Sequence, residues 1–502
     1  MAEKRLTRRQ LMRLSAAAIT GLVAAACAPR VVEKVVKETV IVAGTPQVVE
    51  KVVKETVIVA GTPQVVEKVV KETVVVTEKE TVVVTEKEPV TLNFFNRGGA
   101  YIAGVMDQEI ALYQESHPEI TFEINAVAGY SHQEALLMMI AAGTGPDCWF
   151  DANRTTGMLT KKGVTTDLEP FLEVDPNFKE EDYIDNCWIA QTYDGKRWGL
   201  PWDSGAMCMA FNMDLFDAAG IEYPDPQKWM TWNEVVELAK QLTFDMDDNR
   251  PIDSGFAPAR VKQYGFQPSR GHGRQTYMWA NDAELIESDF SMPMDSDKFI
   301  EAMNWLADLG LKHYVSPAPA FQTATEMGLQ QGNIAMEHTG VWQLGRINDV
   351  DIKWGTFQVP YNTTKASYGH YSPLCVFSRS KHKQEAYDFA FFATCSYDGE
   401  KILVDLGMQQ PIRKDLREQF LSNPEPPEQK YRQVFYDAFE NQETFRWPGD
   451  KVGSYYGGWY QILLEFWGPY LDRLWLGEVR WEDVAKEVRE GSEHILQTGE
   501  IS

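Results

Sequence analysis

Polar and aromatic side chains follow the predicted strands of this chain in a pattern suited to binding a hydroxylated ligand. Three such groups are Asn96, Arg97 and Tyr101; Asp151, Asn153 and Arg154; and Trp202 with Asp203. Aromatic rings pack on the apolar C–H faces of a sugar, while carboxylate, amide and guanidinium groups bind its hydroxyls. We therefore expect these residues to contribute to a saccharide site. In the alternative interpretation, the tryptophan is core, the carboxylates cap helices and the arginines pair with local acids.

Strands and helices alternate along the part of the chain that carries these residues. The predicted elements are a strand at Val90–Phe95, a helix around Met106–Glu115, a strand at Thr121–Ile124, a helix from Ser131 to Ala142 and a strand at Cys148–Phe150. This alternation predicts an α/β fold with parallel strands, in which the loops at the carboxyl ends of the strands form binding sites. Trp149 and Trp232 lie inside predicted elements, so we expect both in the core.

Composition confines the folded part of the chain to residues 90–502. All 59 Trp, Tyr and Phe residues lie after residue 89. The net charge is +4 over residues 1–26, −1 over 27–89 and −28 over the remainder. A surface with this much negative charge repels anionic lipid and the phosphate backbone of nucleic acids. Nucleic acid is therefore excluded as a partner. No stretch reaches 18 apolar residues, so no membrane-spanning helix is predicted.

Residues 1–26 have the pattern of an export signal. Five basic residues precede a short Ala-rich apolar run, and the pair Arg8-Arg9 resembles a twin-arginine signal, with an ordinary secretory signal as the alternative. Ala24-Ala25-Ala26-Cys27 resembles a lipobox, in which a diacylglycerol is attached to Cys27. The alternative is plain cleavage with an incidental thiol. We expect a lipid anchor that holds the protein on the outer face of the cytoplasmic membrane.

Residues 27–89 contain a low-complexity repeat. The 17 residues VVEKVVKETVIVAGTPQ at 31–47 recur unchanged at 48–64, and a third copy degenerates after Val65. Without aromatic residues, one unit cannot bury enough surface to order itself, so we expect a flexible tether. A self-associating coiled or cross-strand stalk is the alternative.

The remaining motifs do not favour an enzyme. After Cys27 five cysteines remain, without CxxC or zinc spacing, and their apolar neighbours predict buried single thiols, with one disulfide as the alternative. The sequence contains no HExxH, GxSxG or GxxxxGK[ST] motif, and no cofactor or metal is predicted. Asp151 and Asp203 could form the acid/base pair of a glycosidase. Asp245–Asn249 begins like a calcium loop, but Arg250 and Phe256 occupy positions that need Gly and Glu, which favours an acidic turn.

Seven motifs in a conserved chain order resemble those of bacterial extracellular solute-binding proteins of carbohydrate ABC importers, which are similar to maltose-binding protein. They are AAGTGPD at 141–147, DGKRWGLPW at 194–202, MAFNMDLF at 209–216, TWNE at 231–234, GNIAM with GVW at 332–342, KQEAYDF at 383–389 and GEVRWEDV at 477–484. We take the resemblance to extend across residues 90–496. The resemblance implies a periplasmic-binding-protein fold of type II, a membrane permease as partner, and a monomer without enzymatic activity.

The resemblance also implies where the ligand binds. Lobe 1 would take about 90–210 and 370–410, and lobe 2 about 220–360 with parts of 411–502, with hinges near 212–220 and 360–380. Trp342 matches the aromatic surface of the family, and three further aromatic candidates are Tyr371, Tyr456 and Trp459. Arg270, in a compact basic loop, can bind an anionic group such as a uronate or can be solvated surface. Polyamines, peptides and metal-bound solutes are the alternative ligands, because related families carry them on the same scaffold. A structural surface protein is the remaining alternative.

Overall fold

A computed structural model describes residues 47–59, 62–74, 88–97, 100–127, 131–151, 156–320, 327–407, 409–424, 427–447, 451 and 456–498. It divides the chain into two compact units, Met1–Glu86 and Lys87–Ser502. The signal segment and Cys27 lie outside the described residues. Their predicted roles therefore stay predictions.

The first unit contains a β-hairpin built from the repeats. Strand β1 (Gln47–Val59) pairs antiparallel with β2 (Thr62–Val74), with Gln47 opposite Val74 and Val59 opposite Thr62. These residues are thus paired strands in the structure, and whether the segment serves as a tether or as a self-associating stalk stays a prediction. The physical reason for the pairing is that the repeats are rich in Val, Ile and Thr, which favour strands, and two paired copies satisfy backbone groups that one copy leaves open.

The second unit contains twelve described strands. They are β3 (Val90–Asn96), β4 (Ile120–Ala126), β5 (Cys148–Phe150), β6 (Thr192–Tyr193), β7 (Lys196–Arg197), β8 (Leu200–Asn212), β9 (Phe244–Asp245), β10 (Val261–Gln263), β11 (Met336–Gly340), β12 (Trp354–Phe357), β13 (Ser367–Val376) and β14 (Phe445–Arg446). The main sheet has the order β11-β8-β13-β5-β3-β4, with β12 beside β8 and β14 beside β13.

The main sheet is mixed, whereas the alternation of elements predicts parallel strands. β3 pairs parallel with β4 and β5, as predicted, but β13 runs antiparallel to both β5 and β8. The reason lies in the connections. Helical crossovers return the chain in the same direction between β3, β4 and β5, whereas the long strands β8 and β13 run in opposite directions past each other.

Sixteen described α-helices accompany the sheet. They are α1 (Ala100–Ser116), α2 (Ser131–Ala141), α3 (Thr156–Lys161), α4 (Glu169–Leu172), α5 (Asn186–Ile189), α6 (Met213–Ala219), α7 (Trp232–Gln241), α8 (Gln275–Trp279), α9 (Asp297–Leu311), α10 (Leu344–Asn348), α11 (Lys383–Cys395), α12 (Tyr397–Asp405), α13 (Arg417–Leu421), α14 (Gln429–Glu440), α15 (Tyr456–Trp475) and α16 (Trp481–Thr498). The α/β prediction and the five predicted elements from Val90 to Phe150 are confirmed.

Two large hydrophobic clusters form the core of the second unit. The first contains Phe94, Phe150, Leu374 and Phe389, where α11 covers strands β3, β5 and β13. The second contains residues of α6, α7, α9 and the two C-terminal helices α15 and α16. Trp149 and Trp232 are buried, as predicted. The second unit therefore has two separate hydrophobic cores, and the predicted bounds of the two lobes stay a prediction.

Strand β8 joins the regions of these two clusters. Its residues from Leu200 to Ala206 pair with β13, and its residues from Met207 to Phe211 pair with β11. β8 then leads into α6, whose first turn is capped by the Asn212 side chain and whose end is Gly220 at φ +68°. The segment 212–220, which the resemblance marks as a hinge, is thus a short capped helix. The hinge itself concerns motion and stays a prediction.

Candidate functional site

The candidate site lies on the central residues of β8 and β13, where β8 changes its partner strand. The antiparallel register places Ser204 opposite Tyr371 and Gly205 opposite His370. Residues 203–207 and 368–371, with the side chains that contact them, are called the central band below. The strands bring together residues that are more than 160 positions apart in the chain, and they hold the backbone of the site rigid.

A carboxylate, an imidazole and an indole form the first part of the central band. His370 Nε2 lies 2.8 Å from Asp203 Oδ1. The ring of Trp342 stands edge-on to the ring of His370, with 4.4 Å between the centroids. Asp203 keeps 17% of its side-chain surface exposed, and Trp342 is also partly exposed. This combination of a carboxylate and an aromatic ring is the chemistry predicted for a saccharide contact.

Two glycines permit this close arrangement. A Cβ at Gly340 would lie 2.0 Å from the indole of Trp342, because the ring folds back over the backbone of its own turn. A Cβ at Gly205 would lie 2.9 Å from the ring of His370 and 3.0 Å from the amide of Gln410. Larger residues at either position would displace side chains of the central band.

A second aromatic group lies next to the first. The rings of Trp279 and Tyr368 stack at 5.9 Å, and together with Met207 and Ala366 they form a small cluster against which Trp342 packs. The Trp279 indole N–H donates to Glu284 at 2.7 Å. These bonds hold the Trp279 ring in one orientation, which favours a preformed binding surface.

A cation completes this second group. The Arg446 guanidinium lies 5.1 Å from the centre of the Trp279 ring, on which it stacks, and donates to Glu284 Oε2 at 2.8 Å. Arg446 follows Phe445 in strand β14, which pairs with the start of β13. Glu284 accepts from both the Arg446 guanidinium and the Trp279 indole. The main role of the arginine is therefore to hold this indole in place.

Several polar atoms near the central band are buried without a hydrogen-bond partner among the described residues. They are Ser204 Oγ, His370 Nδ1 and both amide atoms of Gln410. The neighbouring amide of Gln409 donates to the carbonyl of Ser204 at 3.0 Å. Leaving such groups unsatisfied costs about 1–3 kcal/mol each, so hydroxyl groups of a ligand or water can stabilise them.

Besides Asn96, three residues that the sequence predicts as ligand contacts are buried instead. Trp202 is only 5% exposed, and its indole N–H donates to both carboxylate oxygens of Glu109 at 2.8 and 3.1 Å. Its ring meets that of Phe150 edge-on at 4.9 Å. The expectation that Trp202 offers an open ring face is therefore wrong in this conformation, because its indole donates to Glu109 of α1 and its ring packs in the first core.

Asp151 and Tyr371 are the other two buried predictions. The Asp151 carboxylate is fully buried and accepts from Oγ1 of Thr156, the first residue of α3, at 2.5 Å. Tyr371 is 5% exposed and packs edge-on against Trp447 at 5.5 Å. Burial, and then the nearby Asp151 carboxylate, raises the pKa of the Tyr371 hydroxyl. Tyr371 is thus a buried member of the central band, and the buried Asp151 carboxylate lies near it.

The other predicted contacts fall into two groups. Asn96 is buried at the end of β3, Arg97 next to it is partly exposed, and Arg270 lies away from the central band beside Ser316 and Trp475. Asn153, Arg154 and the side chains of Tyr101, Tyr456 and Trp459 lie outside the described residues. Their roles stay predictions.

The sequence interpretation missed four contributors to the central band: Trp279, His370, Gln410 and Arg446. Each lies in a different element, and no local motif marks it. The sequence contains an indication only for His370, which directly precedes the predicted contact Tyr371 in a strand-like run. Strand alternation puts neighbours on opposite faces, so a buried Tyr371 implies that His370 faces the other side.

The predicted thiols and the acidic loop are both structural. The five described cysteines, Cys148, Cys187, Cys208, Cys375 and Cys395, are free and buried, which confirms the prediction of single thiols. Burial alone would raise the pKa of the Asp245 carboxyl, but N–H donors from Ala257, Asn249 and Asp247 outweigh it and lower the pKa to about 2. Within the described ranges, no three His, Cys, Asp or Glu side chains converge as a metal site requires.

Comparison with known proteins shows the family. A sequence profile described as "Bacterial extracellular solute-binding protein" matches residues 109–426. A binding protein of Brucella abortus (strain 2308) is 24% identical over 289 residues, which span 56% of this chain and 66% of that protein. The arabinooligosaccharide-binding protein of Bacillus subtilis (strain 168) is 21% identical over 61% of this chain and 69% of its own length. These relatives are named as binding proteins, not enzymes.

A solved structure shows the fold. The ABC substrate-binding protein of Listeria monocytogenes in complex with cycloalternan superposes with a TM-score of 0.69 at 21% identity, over 81% of this chain and 99% of that one. This likeness confirms the two-domain periplasmic-binding-protein fold that the motifs predict. Within the described ranges, no helix combines the length and apolarity that a membrane crossing needs. The profile match extends over more than half of the chain, and the chain therefore belongs to the family of bacterial extracellular solute-binding proteins.

Proposed function

We propose that this protein is the substrate-binding component of an ABC importer for a sugar or oligosaccharide. The observation that carries the proposal is the central band itself, where Asp203 on β8 and His370 on β13 meet the ring of Trp342, which follows β11. Rings and hydrogen-bonding groups on rigid strands are what a saccharide site needs. The names of the Bacillus subtilis relative and of the Listeria monocytogenes complex support this ligand class.

The proposed mechanism is capture by closure of two lobes. Lobe 1 would comprise about 90–210 and 370–410, and lobe 2 about 220–360 with parts of 411–502. The ligand first binds groups of one lobe and then gains contacts from the other, so that it shifts an open–closed equilibrium toward the closed form. The closed form, as a monomer, then presents both lobes to a membrane permease. No step of this mechanism changes the ligand chemically.

The test is isothermal titration of the full chain with arabino-oligosaccharides and with cycloalternan, followed by chromatography of the recovered sugar. We expect saturable binding of one saccharide class and unchanged sugar. Asp203→Ala should weaken binding about tenfold or more, equivalent to about 1.4 kcal/mol. Asp351→Ala, which removes a carboxylate from an exposed loop, is the matched control and should bind like the wild type. Cleaved sugar would make the protein a hydrolase, and no binding of any saccharide would favour a non-sugar solute.

We further propose that Cys27 carries a lipid anchor and that residues 1–26 direct export through the twin-arginine route. The Ala-rich run, the small residues before Cys27 and the pair Arg8-Arg9 support this proposal. In cells, Cys27→Ser should release the protein from the membrane fraction, and Arg8→Lys with Arg9→Lys should block export. Export of the double-lysine variant at the wild-type rate would point to the general secretory route.

A further inference from the structure

A cavity of about 400 Å³ lies away from the central band, between strand β10 and the C-terminal half of α9. Its lining residues include Tyr264, Arg270, Leu306, Leu311, Ser316 and Trp475. The volume falls within the range of small-molecule binding pockets in proteins. None of its lining residues contributes to the central band, so the cavity is a separate feature of the second core region.

Among the described residues that line this cavity, Arg270 is the one cation. Its Nη2 donates to Ser316 Oγ at 2.8 Å, and its guanidinium lies 5.6 Å from the centre of the Trp475 ring. Its Nε and Nη1 are covered and have no hydrogen-bond partner among the described residues. No described carboxylate forms an ion pair with it, and the groups that act on its charge are the tyrosines Tyr264 and Tyr277.

A cation in this position is only partly stabilised. Burial lowers the pKa of Arg270 to about 10, so the group is still charged at neutral pH. A hydroxyl and an aromatic face offset only part of what is lost when a guanidinium leaves water. An anion in the adjoining cavity would supply both the missing charge and the missing hydrogen-bond acceptors.

The walls of the cavity decide what kind of anion fits. Apart from Arg270 and Ser316, the side chains around it are mainly aliphatic or aromatic, including Val261, Leu311 and Pro319. Such walls favour an apolar body and leave the hydroxyl groups of a sugar without partners. A uronate, which the basic loop by itself suggested, therefore fits poorly.

We propose that this cavity binds a small monocarboxylate with an aliphatic or aromatic body, whose carboxylate pairs with Arg270 and whose apolar part contacts Leu311 and Trp475. This site is additional to the proposed saccharide site. Its existence does not depend on which solute the central band binds.

The test is isothermal titration of the full chain at pH 7 with benzoate and hexanoate, with benzamide as the neutral control. We expect saturable binding of at least one carboxylate and at least tenfold weaker binding of benzamide. Arg270→Met should weaken carboxylate binding at least tenfold and, because it removes a partly covered charge that has no ion-pair partner among the described residues, should not lower the unfolding temperature of the free protein. Binding of carboxylates with equal affinity by wild type and Arg270→Met would overturn the proposal, as would no saturable binding of either carboxylate.

A second variant keeps the cation and changes the space. Ala318→Trp fills the cavity from a partly exposed lining position and should abolish carboxylate binding while Arg270 remains. If Arg270→Met fails to fold, this variant decides the outcome, and retained binding would overturn the proposal. Carboxylate affinity should be the same in Asp203→Ala as in the wild type, so failure of the saccharide proposal and failure of this one are distinguishable. Glucuronate bound through Arg270 in place of benzoate and hexanoate would also overturn it.

Discussion

The pairing of Trp202 with Glu109 predicts a pH dependence of stability that a single substitution should remove. Glu109 lies on α1 with no exposed surface, and its described hydrogen-bond donor is the indole N–H of Trp202, at 2.8 and 3.1 Å from the two oxygens. Burial raises the pKa of the Glu109 carboxyl well above its usual value, and the Trp202 hydrogen bond only partly opposes this. Glu109→Gln keeps the shape and one acceptor for the indole but cannot ionise.

The magnitude follows from linkage between protonation and folding. Below the unfolded-state pKa, near 4.3, both states hold the proton and Glu109 adds no pH dependence. Above it, the unfolded chain releases the proton while the folded protein retains it, so the free energy of unfolding falls by about 1.4 kcal/mol per pH unit. The fall ends at the folded-state pKa. Between pH 5 and pH 6 the wild type should therefore lose about 1.4 kcal/mol relative to Glu109→Gln.

The assay is urea unfolding of both proteins at pH 5, 6 and 7, followed by tryptophan fluorescence. Glu115→Gln makes the same chemical change at an exposed position of the same helix, and its stability should run parallel to that of the wild type. Parallel curves for the wild type and Glu109→Gln would refute the reasoning, because they would mean that the Glu109 carboxyl ionises in the folded protein as easily as in the unfolded chain.

Three further predictions concern the site, one helix and the thiols. Gly340→Ala should weaken saccharide binding about tenfold, measured by titration, because its Cβ would lie 2.0 Å from the Trp342 indole; unchanged affinity would show that the ring position does not matter. Thr231→Ala removes the cap that Glu234 reciprocates and should lower the free energy of unfolding by about 1 kcal/mol, whereas Thr231→Ser should not. Burial raises the thiol pKa of the five described cysteines, which are Cys148, Cys187, Cys208, Cys375 and Cys395. A thiol reagent at pH 8 should therefore label them only after unfolding. Rapid labelling of the native protein would contradict their burial.

Local physical chemistry was enough to predict the elements of the fold. The alternation in Thr121–Ile124 and the capping box at Thr231 and Glu234 depend on neighbours within a few residues, and the structure confirms both. The motif order along residues 141–484 predicted the family, and the profile match confirms it. The direction of pairing in the sheet was not predictable in this way, because β8 and β13 meet only after about 160 intervening residues have folded.

The sequence by itself determined which residue types are available for the candidate site. The tertiary structure decided which of these residues face it. A tryptophan on a strand can face either side of the sheet, and Trp202 on β8 faces the buried carboxylate of Glu109, 93 positions earlier, to which its indole N–H donates. The same holds for the repeats, whose strand preference is local but whose pairing needs a second copy. Propensity and capping act over a few residues, whereas burial and hydrogen-bond partners depend on where distant segments pack. For this reason the sequence could name Asp203 and Trp342 as candidate contacts, a role that stays a prediction, while the neighbouring His370 and Trp279 became visible only in the folded chain.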